Sequence, residues 1–156
     1  MTRLALAAAL CLVSVSALAG DLPDPALTPG LVASTDEAEV CSRVPDGLTY
    51  SQAHRQTTEA MKDAVRRAYG IVGQFTGEID HLEPLCAGGA DDVRNLWPQP
   101  AEGTWNFHVK DRLEAWACAA VCRHHAMPLA EAQALFVPDW RAGYCRAFPS
   151  DERCGR

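Results

Sequence analysis

Cations are in short supply in this sequence: fourteen Lys and Arg stand against twenty Asp and Glu. Bulk attraction to nucleic acid works by releasing counterions from phosphates, so a net acidic chain does not bind that way. Contact with a polyanion would need a local basic patch, or a divalent metal carrying part of the phosphate contact. Long apolar runs are also scarce. The run from Leu4 to Leu18 is the longest, and it is shorter than the roughly 20 residues of a membrane-spanning helix. There is no internal repeat and no break in composition that would mark a second domain. Gly88-Gly89 is too short for a phosphate cradle and reads as a point where a loop bends.

What is present begins with an address. Arg3 precedes the apolar run, and Ala17-Leu18-Ala19 offers small residues at a cleavage site. That order is the pattern of a secretory signal peptide, here residues 1–19 with cleavage expected near Gly20. Beyond it stand six of the seven cysteines, Cys41, Cys86, Cys118, Cys122, Cys145 and Cys154. An even number in an exported chain predicts disulfides, although sequence does not choose the pairing. Cys118 and Cys122 with His124 and His125 would also suit zinc, but exported thiols tend to be oxidised, and disulfides are the expected state.

Residues 21 to about 35 hold three prolines and little periodicity, so residues 20–56 read as an extended N-terminal segment that is free to move at its start. Val44-Pro45-Asp46-Gly47 marks a turn. From Thr57 or Thr58 to Tyr69 the pattern is helical, with Met61, Val65, Ala68 and Tyr69 on one face and Gly70 closing it. A short strand follows at about 77–82, then a loop, and a second strand at 95–97 that Pro98 and Pro100 should stop. Thr104 is the expected cap of the longest helix, to about Arg123, with an apolar stripe of Trp105, Val109, Leu113, Trp116 and Ala120. Two further helices are expected, from Pro128 to Phe136 and from Pro138 to Ala147. The class is small α+β. Of Trp97, Trp105, Trp116 and Trp140, at least three are expected in the core rather than stacked on bases. His54 reads as a surface histidine.

The chemistry concentrates at Asp80-His81. A carboxylate can hold a hard divalent cation while an unligated imidazole takes a proton from water, the pairing that phosphodiester hydrolysis needs. Neighbours on a strand point to opposite faces, so a bulge or the strand end must bring both to one site. Alone the dipeptide is weak. Its context is more specific: Asp80-His81-Leu82-Glu83-Pro84-Leu85, then Gly88-Gly89, then Arg94-Asn95-Leu96-Trp97-Pro98-Gln99-Pro100. This ordered run resembles the HNH endonuclease family, in the subgroup with Asp-His-x-x-Pro-Leu, Gly-Gly and Asn-Leu-Trp-Pro-Gln. Trp105 through Glu114, Val121-Cys122, Leu129 through Gln133 and Asp139-Trp140 resemble the same subgroup, so the likeness runs over residues 57–146.

The resemblance implies a ββα-metal hairpin-plus-helix core in residues 57–156, with flanking helices, clasping one divalent ion such as magnesium, manganese or zinc. It makes His81 the general base and Asp80 and His108 metal ligands. It leaves Asn95 either orienting the His81 ring or touching the metal. Its implied substrate is DNA, with RNA as the alternative. Arg94, Lys110 and Arg112 are near enough in sequence to help hold phosphate, yet for each the reading as an ordinary surface cation is stronger, with Lys110 and Glu114 an exposed i,i+4 pair. Glu83, where the subgroup has an apolar residue, reads as a solvent-facing strand residue, and Asp91-Asp92 read as turn residues. Two other classes compete: a catalytically inactive exported binding protein on the same scaffold, and a structural zinc protein using the cysteines.

Overall fold

The computed structural model describes residues 20–155; the expected signal peptide lies outside them. The class is α+β. The chain runs through α1 (Glu37–Cys41), α2 (Tyr50–His54), α3 (Glu59–Ala68), β1 (Gly77–His81), β2 (Leu96–Pro100), α4 (Phe107–Cys122), α5 (Leu129–Gln133) and α6 (Trp140–Ala147), with short 3-10 turns at Leu85–Ala87, Val93–Asn95 and Glu152–Gly155. Among the described residues no helix is long and apolar enough to cross a membrane.

The two strands pair antiparallel, with Gly77 opposite Pro100 and His81 opposite Leu96. Both prolines lie inside β2 rather than ending it, and the register explains why. Leu82 N donates to Asn95 O, and Ala101 N donates to Thr76 O. Hydrogen-bonded pairs alternate along an antiparallel ladder, so Pro98 and Pro100 fall at positions whose nitrogens face away from β1. In a two-stranded sheet that outer side bonds to no other strand, and a missing N–H costs no ladder bond.

Helix α4 starts two residues later than Thr104 suggests, because Asn106 is the cap: its side chain accepts from Val109 N and donates to Gly103 O. Of the two candidate starts, Thr58 is the one that caps α3, through Met61 N. Leu113, Ala117 and Val121 of α4 enter a core completed by Leu82, Leu96, Trp97, Phe136, Trp140 and Tyr144. Trp97 and Trp140 are fully buried, while Trp105 and Trp116 are half-buried against that core.

The N-terminal segment is packed rather than loose. Thr28 is buried and donates to Leu96 O while sharing a hydrogen bond with the Tyr69 hydroxyl. Trp140 Nε1 donates to Asp21 O, and Ala33 N and Ala90 N tie the segment to the loop after β1 through Gly88 O and Leu31 O. Gly88 has φ +81°, and a Cβ there would lie 2.3 Å from Ser34 O, so only glycine lets the strap pass so close. Helices α1 and α2 are five residues each, too short to show a helical period in the sequence.

All six cysteines of the described chain pair: Cys41–Cys122, Cys86–Cys118 and Cys145–Cys154. No thiol is left for zinc, and three disulfides suit an oxidising, extracytoplasmic compartment. Cys86–Cys118 spans 32 residues and fastens the loop after β1 to α4. Removing it by Cys86→Ser with Cys118→Ser should cost about 3–4 kcal/mol from the loop-entropy relation. Urea denaturation should show the loss as a lower midpoint, whereas an unchanged midpoint would mean the loop is held by its other contacts.

Candidate functional site

His81 is the last residue of β1, and this strand end brings it to Asp80 without a bulge. Its Nδ1 lies 3.9 Å from Asp80 Oδ1, and its Nε2 lies 2.8 Å from Asp91 Oδ1. Asp91 also accepts from Thr57 Oγ1 and from Gln56 N. Burial would raise its pKa, but these hydrogen bonds and the His81 ring outweigh it and hold the carboxyl below its ordinary value. An ionised carboxylate only accepts, so Nε2 is the ring nitrogen that donates to Asp91. The ring Nδ1 is buried and has no protein partner.

On the other side of β1, Asp80 meets Lys110 of α4. The Lys110 ammonium is fully buried and donates to Asp80 Oδ2 at 3.1 Å, to the His81 carbonyl at 2.5 Å and to Glu114. The pair is therefore not an exposed one. Lys110 stands three residues before Leu113 and seven before Ala117, which places it on the buried face of α4. Burial alone would raise the Asp80 pKa and lower that of Lys110. Their mutual attraction reverses both directions, so the two remain ionised. Glu114 shares the same ammonium, but burial and the Asp80 charge outweigh that attraction and push it up to about 7.

Glu78, Asp80 and Asp111 each place a carboxylate oxygen within 4.8 Å of the others. Burial and the Asp80 charge raise both Glu78 and Asp111. A cluster of hard oxygen donors strained by mutual repulsion is chemically suited to magnesium, manganese or calcium. His108 lies three residues before Asp111 on the same helix face, and its charge bears on both Glu78 and Asp111, but it is not one of the clustered ligands. Beside the cluster, β1 and α3 enclose a groove of about 360 Å³ lined by Arg55, Thr57, Lys62, Arg66, Gly77, Glu78, Ile79 and Asp80.

Asn95 does not bond the His81 ring. It is wholly buried, and its amide makes four hydrogen bonds: it accepts from Glu83 N and Leu31 N and donates to Glu83 O and Ala90 O. Asp91, not Asn95, orients the ring. Arg94 pairs with Asp92, and Arg112 bonds Tyr144 and Asp151, so neither joins the cluster. Glu83 is buried instead of solvent-facing, because β1 ends at His81 and the Asn95 clamp draws the next residues inward. Asp91, ten residues from His81, gave no sequence signal for its partner.

No family model matches the chain, nor does any curated protein or solved structure.

Two predictions concern this buried polar network. Asn95→Ala leaves buried backbone groups of the Glu83 loop unpaired and should cost about 2–4 kcal/mol in chemical denaturation; a cost within error of zero would mean the clamp is dispensable. Burial raises the Glu83 carboxyl to about 8 from an ordinary 4.5. Folded, it keeps a proton that the unfolded chain releases, so stability is greatest below pH about 4.5 for this group and falls as pH rises to about 8. Glu83→Gln should flatten that decline, read as the dependence of the urea midpoint on pH. A variant with the same slope as the wild type would remove Glu83 as its source.

Proposed function

We propose that this chain is an exported, metal-dependent phosphodiester hydrolase of the HNH type, cutting DNA and, as the alternative polymer, RNA. The observation that carries the reading is the buried, unpartnered Nδ1 of His81 beside a three-carboxylate cluster, with its tautomer set by Asp91. The leader at residues 1–19 fits export as a signal peptide, in keeping with three disulfides.

In the proposed reaction His81 Nδ1 takes a proton from water, and the resulting hydroxide attacks phosphorus as the P–O bond to the leaving oxygen breaks. Asp91 holds the ring through Nε2–H and stabilises the imidazolium once Nδ1 is protonated. Lys110 holds Asp80 and the His81 carbonyl, which keeps base and carboxylates in register. Glu78, Asp80 and Asp111 are the residues suited to hold a divalent ion, with His108 near enough in charge to tune them. Such an ion, when bound, supplies positive charge to the phosphate oxygens. The antiparallel β1–β2 pair with α4 bringing Asp111 to the β1 carboxylates supports the ββα reading.

The test is cleavage of plasmid DNA by the oxidised mature protein with magnesium or manganese. EDTA should abolish it, and His81→Ala should lower the rate by about 10²–10⁴-fold. Asp91→Asn should fall in a similar range, since an amide facing Nε2 favours the wrong tautomer. Folded protein that cuts no nucleic acid with any metal would overturn the reading in favour of an inactive binding scaffold.

A further inference from the structure

The groove beside the cluster holds three cations that the proposed chemistry does not use. Arg55 precedes α3, and Lys62 and Arg66 stand one turn apart on it, about 6 Å along its axis. All three line the groove, together with Glu78 and Asp80 of β1. This is a concentration of positive charge on a chain whose formal net charge is −6. Lys62 and Arg66 do have partners: Lys62 pairs with Glu59 at 3.0 Å and Arg66 with Asp63 at 2.7 Å. These are exposed i,i+3 pairs, with Glu59 and Asp63 side chains 74% and 55% accessible, and such pairs hold weakly. A phosphate entering the groove can take over both cations at little cost.

The groove is also fixed relative to His81. Gln56 N and Thr57 Oγ1 donate to Asp91, the same carboxylate that holds the His81 ring. The entry to α3 and the base are therefore tied to one group, and the groove cannot drift from the cluster without breaking the dyad.

We infer that Arg55, Lys62 and Arg66 form a phosphate-binding track that receives the nucleic-acid backbone next to the bond being cut. The substrate is accordingly a polymer with flanking phosphates, read by its backbone and not by its bases. The inference deepens the nuclease reading and rests on it for the position of the cut. It also answers the acidic balance of the chain: the cations that meet phosphate are gathered in one groove.

The test separates binding from cleavage. Fluorescence anisotropy of a short fluorescein-labelled single-stranded DNA, in EDTA so that no strand is cut, gives Kd over a range of salt concentrations. Lys62→Ala with Arg66→Ala should weaken binding by about tenfold at low salt, and the slope of log K against log salt should shrink by about 1.4 for two lost phosphate contacts. An RNA strand should behave alike. Arg43→Ala with Arg123→Ala removes the same charge from a different cavity and should leave Kd near the wild-type value. Equal effects of the two double variants, or no binding by the wild type at low salt, would overturn the track. If the wild type binds through these residues yet cleaves nothing with manganese, the track stands and the nuclease reading falls.

Discussion

A single buried ammonium organises this molecule. Lys110 has no exposed surface, and its three donors go to Asp80, the His81 carbonyl and Glu114. Burying a lone charge is costly, and the cost is recovered only when each donor finds a partner in good geometry. That requirement joins α4 to the end of β1. It fixes the carboxylate of Asp80 and, through the backbone, the start of the loop that carries Asp91. Remove the ammonium, and the Asp80 carboxylate is left buried without the cation that keeps it ionised. Everything the site can do follows from this attachment.

A second polar staple acts on the far side of the same loop. The Asn95 amide closes the loop between the strands on itself, and the N-terminal strap adds Leu31 to the same oxygen. Cys86–Cys118 then ties that loop to α4. The loop contains Asp91, so these constraints converge on the orientation of one imidazole. A small domain with a modest core holds a precise site here by hydrogen bonds and disulfides as much as by packing.

Much of the fold was legible in the sequence, because it depends on local signals. The α+β order, the end of α3 before Gly70, the apolar stripe of α4 and the oxidised cysteines follow from spacing and compartment. The misread elements depend on partners distant in the chain. Pro98 and Pro100 look like strand breakers until the register turns their nitrogens outward. Glu83 looks solvent-facing until the strand is seen to end two residues earlier. Residues 21–35 look loose because nothing local shows that Thr28 will meet Tyr69 and Leu96. At the candidate site, Asp80 and His81 stood out by residue type, whereas Asp91 resembled an ordinary turn residue. Glu78 and Asp111 gain significance only when β1 and α4 are brought together. Lys110 was misread too: it looked like half of an exposed pair with Glu114, although its spacing to Leu113 and Ala117 puts it on the buried face of α4.

We propose that the carboxylates beside His81 form one divalent-metal site. The most direct measurement is a manganese titration of the oxidised mature chain followed by electron paramagnetic resonance, with Asp111→Asn in parallel. Asp111 is exposed, so its amide variant should fold normally. The account predicts one saturable manganese per chain, weakened severalfold or more in Asp111→Asn. Absence of saturable binding by the folded wild type, or identical binding by the variant, would contradict it.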